Sequence, residues 1–238
     1  MNLLKIFLYQ LQGFFFPRGC SLCNTGLITP AETYYGLCDS CREGLITESP
    51  SCCGFCGKPL ISEIDTCLSC RNTDERSYDR MWVIFPYTGK YRDLLTAYKF
   101  GKNLALANYF AELVVRLVNK REELADARIV PVPPHPGKKK SKGWDQVDYL
   151  VRKIEKNASG KIKVTRCLKR KESKVQKSLG RNERINNLRG KIFKRAPAPE
   201  TALLIDDVVT TGSTLQVCSS VLRKAGSEKV YCLCLFYD

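Results

Sequence analysis

The sequence predicts an α/β domain, a parallel sheet with helices on both faces, preceded by a small module that binds zinc. Nine of the 13 cysteines fall between Cys20 and Cys70, most of them in Cys-x-x-Cys pairs. From Arg80 onward, short apolar strands alternate with segments of helical periodicity, the order that produces a parallel sheet covered by helices. With 238 residues, 44% of them hydrophobic, the chain has room for one ordinary domain and a small one.

Residues 1–16 carry apolar side chains at helical spacing and are expected to form a helix that docks on the rest of the chain, with a membrane surface as the alternative. The run contains Lys5 and ends in Pro17-Arg18 without a small-residue cleavage site, so it does not resemble a secretory signal. It is too short to span a bilayer. Without a secretory signal or a spanning helix, we expect a cytoplasmic protein with no transmembrane segment. In that reducing compartment, paired cysteines bind metal in preference to forming disulfides. The alternative is a cytoplasmic protein that is peripheral to the membrane.

Four Cys-x-x-Cys pairs predict two tetrahedral zinc sites with sulfur ligands only. A spacer of two residues lets one tight turn direct both sulfurs to one ion, and Gly57 suits the chain reversal of such a turn. Sequential use of the pairs is expected, with interleaved use as the alternative, and Cys52 is left over because its interval to Cys56 is wrong. The predicted ligands are Cys20, Cys23, Cys38 and Cys41 in one site, and Cys53, Cys56, Cys67 and Cys70 in the other.

A change of composition marks a domain boundary near residues 72–79. Residues 17 to about 75 are rich in Cys, Gly, Pro, Ser and Thr and cannot bury much core without a metal. We therefore expect a zinc-binding module with its N-terminal helix over residues 1–75 and the α/β domain over residues 76–238. The module is expected to be structural, with contact to nucleic acid or a partner protein as the alternative.

The α/β domain is expected to contain four strands and three helices. The apolar patterns place strands over residues 81–87, 128–132, 201–205 and 230–236, and helices over residues 106–117, 147–154 and 214–225. Residues 169–195 are basic and polar with weak periodicity, which is typical of a mobile loop beside a binding site.

The segment from Leu203 to Thr214 joins an apolar strand, two carboxylates and a loop of small hydroxyl residues that opens a helix. Amide groups at a helix start, with Gly212 allowing close approach, suit a phosphate dianion. Asp206 and Asp207 can hold sugar hydroxyls or a magnesium ion. The alternative, a buried strand that ends in an aspartate turn with a hydroxyl helix cap, explains only parts of the string. The predicted phosphate-binding residues are Thr210, Thr211, Gly212, Ser213 and Thr214.

This string resembles the phosphoribosyl pyrophosphate signature of type I phosphoribosyltransferases. The resemblance implies their fold for the parallel sheet. It also implies that Asp206 and Asp207, the expected catalytic residues, bind the ribose hydroxyls, while the loop from Thr210 to Thr214 binds the 5′-phosphate. Purine-salvage members have an aspartate base where this chain has Thr210, so a hypoxanthine or guanine reaction is not expected.

Further blocks resemble the ComF family, which is associated with DNA uptake in natural transformation. They are Tyr98-Lys99-Phe100-Gly101, Pro131-Val132-Pro133-Pro134-His135, Lys142-Gly143-Trp144-Asp145-Gln146 and a spaced pattern from Gln176 to Phe193. Together with the double zinc motif, the resemblance covers nearly the whole chain. It implies competence-machinery proteins at the inner face of the membrane as partners. The chain departs from the family's Arg-Gly-Phe-Asn-Gln motif at Lys142 and Asp145.

The distribution of charge adds nucleic acid to the expected partners. Residues 138–195 hold 21 Lys and Arg against 5 Asp and Glu, whereas the whole chain holds 39 and 24, so the remainder is nearly neutral. Such a cluster indicates contact with phosphates, and the few aromatic residues within it favour phosphate contact over base stacking. Lys142, Arg181 and Arg184 are predicted to bind pyrophosphate. Pro134 and His135 are predicted to line the substrate site, the histidine as a loop residue in preference to a catalytic base.

Two functions follow from these features. In the first, the protein is a phosphoribosyltransferase: magnesium phosphoribosyl pyrophosphate or a related sugar phosphate binds, and an unknown acceptor attacks the anomeric carbon as pyrophosphate leaves. In the second, it is a non-enzymatic competence protein that uses the pocket only to bind a ligand and the basic region to hold single-stranded DNA. The sequence names no acceptor.

Overall fold

The computed structural model describes residues 19–45, 52–71, 76–137, 143–171 and 181–238, with the side chains of residues 181–184 left out. The helix expected over residues 1–16 and the predicted ligand-binding Lys142 lie outside the described residues. Among the helices that are described, none is long and apolar enough to cross a membrane. The division of the chain after residue 75 stays a prediction.

From Arg80 onward the described chain contains the four predicted strands and three predicted helices, together with two short strands and two α-helices that were not predicted. The strands are β1 (Arg80–Pro86), β2 (Arg128–Pro131), β3 (Leu168–Arg170), β4 (Ile192–Lys194), β5 (Thr201–Val209) and β6 (Lys229–Tyr237). The α-helices are α1 (Pro30–Tyr35), α2 (Asp39–Glu43), α3 (Leu68–Arg71), α4 (Gly89–Lys99), α5 (Leu106–Asn119), α6 (Gln146–Asn157), α7 (Arg181–Leu188) and α8 (Ser213–Lys224).

Four strands form the predicted parallel sheet, in the order β1-β6-β5-β2. The central strands β5 and β6 stay paired as far as Val209 and Tyr237. The strand expected to end at residue 205 therefore continues through both carboxylates, because β6 offers hydrogen-bonding partners along that whole length. Asp206 and Asp207 consequently have the fixed backbone of a central strand and not that of a loop.

Helices cover both faces of the sheet, which confirms the predicted architecture. Side chains alternate between the two faces along a strand. Leu203 and Ile205 of β5 pack in one buried cluster with α5 and α6, whereas Leu204 packs in a second cluster with α8. The run Ala202-Leu203-Leu204-Ile205 is apolar throughout because both of its faces are buried.

The basic segment from residue 169 to 195 is more ordered than the expected mobile loop. In its described part, β3 and β4 form an antiparallel pair, and α7 contacts α8. Leu188 and Ile192 are buried in the same cluster as α8, which explains the order. The expectation of a loop was wrong for these residues because a few apolar side chains among many cations anchor the segment.

The cysteine-rich part packs on the sheet and on α5. The Tyr78 hydroxyl donates to the Phe55 carbonyl at 2.6 Å, and the Met81 amide of β1 donates to the Gly54 carbonyl at 2.6 Å. Gly57 has φ +76°, and a Cβ there would lie 2.3 Å from a methyl carbon of Val83. Only glycine fits that turn against the sheet.

Candidate functional site

Two groups of four cysteines are assembled in the described chain. The sulfurs of each group lie within 4.8 Å of one another. The groups are Cys20, Cys23, Cys38 and Cys41, and Cys53, Cys56, Cys67 and Cys70. Sequential pairing is therefore confirmed. Cys52 lies outside both groups, as expected, and its backbone forms a bridge with Pro59 that closes the second turn.

The geometry of both groups fits zinc. Four sulfurs about 2.3 Å from a tetrahedral zinc ion are about 3.8 Å apart. The Cys23 and Cys38 sulfurs are 3.6 Å apart, and those of Cys56 and Cys67 are 3.8 Å apart. Four thiolates around Zn²⁺ leave two negative charges, and the Arg76 guanidinium donates to the Cys70 sulfur at 2.7 Å, where it offsets part of that charge. A zinc ion would crosslink segments that have little other core.

A pocket of about 340 Å³ lies at the carboxyl ends of β2, β5 and β6. Ligands bind at this edge in open parallel sheets because the loops after the strands meet there. Six predicted site residues line it: Pro134, His135, Asp206, Asp207, Thr210 and Thr214. Lys142 lies outside the described residues. Arg181 and Arg184 lie on α7, and their side chains are not described.

The loop after β5 turns directly into α8. Gly212 has φ +70° and ψ +3° and is the residue before the first turn of α8. A side chain at that φ would be strained, so glycine permits the tight entry into the helix. The Thr211 and Ser213 hydroxyl oxygens are 2.8 Å apart, which holds the loop closed on itself. The N-cap residue of α8 is Gly212, which has no side chain to cap the helix. The amides of its first turn are therefore suited to an anion.

Asp207 is the more buried carboxylate of the pair. Its Oδ2 accepts hydrogen bonds from Lys99 Nζ at 3.0 Å and from Gln146 Nε2 at 2.8 Å, and its Oδ1 accepts one from the Val208 amide at 3.0 Å. Burial raises the pKa of Asp207, but the Lys99 ammonium and the hydrogen bonds from Lys99 and Gln146 outweigh burial and lower it below its ordinary value. Asp207 is therefore ionised at neutral pH.

Asp206 has the opposite electrostatics. It is partly exposed on the pocket wall, and its Oδ1 accepts the Asp207 amide at 2.8 Å. Burial, the charge of Asp207 and a hydrogen bond between the two side chains raise the pKa of Asp206 well above its ordinary value. Two adjacent carboxylates cannot both ionise easily in a confined site. Asp206 is therefore the weaker acid of the pair.

Among the other residues that line the pocket, Lys99, Asp145, Gln146 and Arg170 carry charged or amide side chains that the sequence patterns assigned to no site. Lys99, Asp145 and Gln146 fall within quoted blocks, so their spacing was noticed but their chemistry was not. Asp145 accepts the Asp148 amide at 2.9 Å and so begins α6 beside the pocket. Arg170 ends β3, and burial lowers the pKa of its guanidinium. Nothing local in the sequence separates Arg170 from the neighbouring cations.

A second pocket of about 460 Å³ adjoins the first. Val132, Pro133, Pro134 and Arg170 belong to both walls. Its remaining wall combines apolar side chains, such as Leu168, with cations of the β3–β4 pair. The two pockets therefore share one wall at the carboxyl edge of the sheet.

His135 lies on the pocket wall, where its Nδ1 accepts the Gly137 amide at 3.2 Å. This bond holds the loop that follows β2. The contact agrees with its interpretation as a loop residue.

Comparison with known proteins matches the chain to one domain family and to several individual relatives. Residues 11–72 match the family described as the double zinc ribbon domain, and the two cysteine groups fit its two zinc sites. The chain is 30% identical over 149 residues to competence protein ComFC of Streptococcus pneumoniae, covering 62% of this chain and 64% of that protein. It is therefore matched over slightly less than two thirds of that relative.

Two further relatives are matched almost from end to end. The chain is 27% identical over 229 residues to competence protein F of Haemophilus influenzae, covering 91% of this chain and 95% of that protein. It is 25% identical over 226 residues to DNA utilization protein YhgH of Escherichia coli K12, covering 92% and 97%.

Proposed function

The chain is a homologue of the ComF-type competence proteins over most of its length, and from this premise we propose that it binds magnesium phosphoribosyl pyrophosphate and acts in DNA uptake. Relatives named for competence and for DNA utilization support the role in DNA uptake. The ligand is argued from the pocket.

One observation carries the ligand assignment. The two carboxylates line one pocket together with Thr210 and Thr214, at the edge of the sheet where α8 begins, whereas Thr211, Gly212 and Ser213 do not line it. A helix N-terminus with neighbouring hydroxyls favours a phosphate dianion, and carboxylates favour sugar hydroxyls. A sugar phosphate carries both groups a few ångströms apart, so it matches both halves of the pocket at once.

Each group then has a separate task. Amides of the first turn of α8 donate to the 5′-phosphate, with hydroxyl donors from Thr210 and Thr214. Asp206 accepts from a ribose hydroxyl, and Asp207 fixes the surroundings of Asp206. Magnesium, when bound with the pyrophosphate, would neutralise part of the leaving group's charge, and the carboxylate oxygen of Asp206 is a ligand type that it accepts.

The pyrophosphate and the acceptor need further groups. Lys142, Arg181 and Arg184 stay predictions as pyrophosphate ligands. The adjoining pocket of about 460 Å³ offers room for an acceptor beside the sugar, which supports the enzymatic alternative. The absence of an aspartate at Thr210 argues against purine acceptors that need such a base.

Calorimetry tests the ligand assignment. We expect the protein to bind phosphoribosyl pyrophosphate with magnesium and to bind it at least about tenfold more weakly when magnesium is omitted. Thr214→Val removes one hydroxyl from the loop. The loss of a hydrogen bond to a charged group is worth about 1.5–3 kcal/mol, so affinity for phosphoribosyl pyrophosphate and for ribose 5-phosphate should fall about tenfold or more.

The matched control is Thr201→Val, which makes the same change at the opposite end of β5. It should leave both affinities unchanged. Wild-type protein that binds neither ligand, or equal losses in the two variants, would contradict the assignment.

The exposed cations of the β3–β4 pair favour single-stranded DNA as a second partner. Lys169, Lys194 and Arg195 are exposed and lie beside the second pocket or on its wall. Cations in such an arrangement bind phosphates irrespective of base sequence. This region and the sugar phosphate pocket are neighbours, so one strand could lie across both.

The contribution of these cations can be measured from the salt dependence of binding. Each neutralised phosphate of a single strand contributes about 0.7 to the slope of log K against log salt. Replacing Lys169, Lys194 and Arg195 by Ala together should therefore reduce the slope by about 2, measured by fluorescence anisotropy with labelled oligonucleotides.

The control replaces three exposed cations at the amino edge of the sheet by Ala. They are Arg128, Lys224 and Lys229. This variant should retain the wild-type slope. A flat salt response in the wild-type protein would exclude binding through phosphates.

A further inference from the structure

The two adjacent carboxylates differ in the hydrogen bonds that they have left for a ligand. A carboxylate offers about four lone-pair positions. Asp207 already accepts from Lys99, Gln146 and the Val208 amide, and it shares a hydrogen bond with the Asp206 side chain. Its capacity is therefore used within the protein, and of the two acids Asp206 is the one with capacity for a sugar hydroxyl.

Lys99 is held where its ammonium reaches the pocket. It is the last residue of α4, its side chain is 20% exposed, and it lies on the pocket wall. An ammonium has three donors. In the described chain, one of them has an assigned acceptor, Asp207 Oδ2. The remaining donor capacity faces the same space as Asp206.

Gln146 is fixed independently of the ligand. Its side chain donates to Asp207, while its backbone carbonyl accepts from the buried Tyr98 hydroxyl at 2.7 Å. Tyr98 and Lys99 are adjacent on α4, so one turn of that helix holds both Gln146 and Asp207. The arrangement orients Lys99 before any ligand enters.

We propose that Lys99 binds an anionic oxygen of the phosphosugar directly, and that Asp207 and Gln146 are positioning residues that hold its ammonium toward the pocket. This inference rests on the proposed binding of phosphoribosyl pyrophosphate. It assigns unequal roles to the two acids: Asp206 contacts the sugar, and Asp207 acts through Lys99.

The alternative role for Lys99 is neutralisation of a buried carboxylate without ligand contact. The variants Lys99→Met, Asp207→Asn and their combination separate the two roles. If Lys99 only neutralises Asp207, removal of both charges together should restore binding. If Lys99 contacts the ligand, the double variant must bind as weakly as the variant that lacks Lys99 alone.

The affinities are to be measured by calorimetry with magnesium phosphoribosyl pyrophosphate. We expect Lys99→Met and the double variant to bind at least about tenfold more weakly than wild type, Lys99→Arg to retain most of the affinity, and Asp207→Asn to lie between. Lys102→Met, an exposed lysine three residues further on, is the matched control and should bind as wild type does.

Lys99→Met alone leaves a buried carboxylate without its cation and can fail to fold. The deciding comparison is therefore between Asp207→Asn and the double variant, both of which lack that carboxylate. If wild type binds and the Asp207→Asn variant has the same affinity as the double variant, the role of Lys99 is overturned while the proposed function stands. Wild-type protein that binds no phosphoribosyl pyrophosphate would remove the proposed function and the inference with it.

Discussion

Replacing Asp206 by Asn will stabilise the unliganded protein at neutral pH and strongly weaken its binding of phosphoribosyl pyrophosphate. The folded protein raises the pKa of Asp206 well above its ordinary value, first through burial and then through the charge of Asp207. A carboxyl group with a raised pKa contributes stability while it is protonated, and this contribution is lost as the pH rises through the folded-state pKa. An asparagine is neutral at every pH and avoids that loss.

The expected gain is about 1 kcal/mol or more at pH 8, which corresponds to roughly 2–4 °C in melting temperature for a chain of this size. The difference from wild type should shrink between pH 8 and pH 5.5, since wild-type Asp206 binds its proton as the pH falls. Binding of phosphoribosyl pyrophosphate should fall about 100-fold or more, because the sugar loses its carboxylate.

Asp207→Asn is the matched control for stability and should have the opposite sign. The pKa of Asp207 is lowered in the folded protein, chiefly by Lys99 against the effect of burial, so its charge stabilises the fold above the unfolded-state pKa. The same substitution one residue along should therefore lower the melting temperature at pH 8. Equal shifts in both variants, or a less stable Asp206→Asn at pH 8, would contradict the assigned charge states.

Replacing Cys53 by Ser should cost the protein one of two zinc ions and unfold the second cysteine turn. In that part of the chain the buried apolar residues of the cluster are themselves cysteines, with Phe55 and Leu60 only partly buried around them. Such a segment has little core apart from the metal, and structural zinc contributes its binding free energy to folding. We expect about two zinc ions per wild-type chain and about one in the variant.

Cys52→Ser provides the control, because the neighbouring sulfur lies outside both groups. Its zinc content should equal that of wild type. Metal analysis under reducing conditions measures the content, and limited proteolysis within residues 52–71 measures the unfolding. A wild-type protein without zinc, or equal zinc loss in the two variants, would contradict the assignment of ligands.

The parts of the fold that could be predicted depend on local pattern. The strands were visible because a central strand buried on both faces is a short apolar run, as in Leu203, Leu204 and Ile205. The zinc groups were visible because a two-residue spacer fixes the geometry of each pair. The full length of β5 could not be predicted from the sequence, because its last four residues form a strand only by pairing with β6.

The acid pair was predicted as a site, but its surroundings could not be. Lys99 and Gln146 reach Asp207 from two different helices, and no local pattern in the sequence states that α4 and α6 meet there. The unequal charge of the two acids depends on those contacts. Similarly, the order within residues 181–195 depends on packing against α8. The few apolar residues that make this contact could not be recognised among the many cations of the segment.

The contact between Gly54 and β1 places the second cysteine turn against an edge strand of the sheet. β1 is an outer strand of the sheet, and its Met81 amide donates to the Gly54 carbonyl beside the second cysteine group. Outer strands with unsatisfied amides pair readily with strands of other molecules. The cysteine turn therefore occupies one amide of that edge strand, and loss of zinc is expected to free this amide for pairing with another chain.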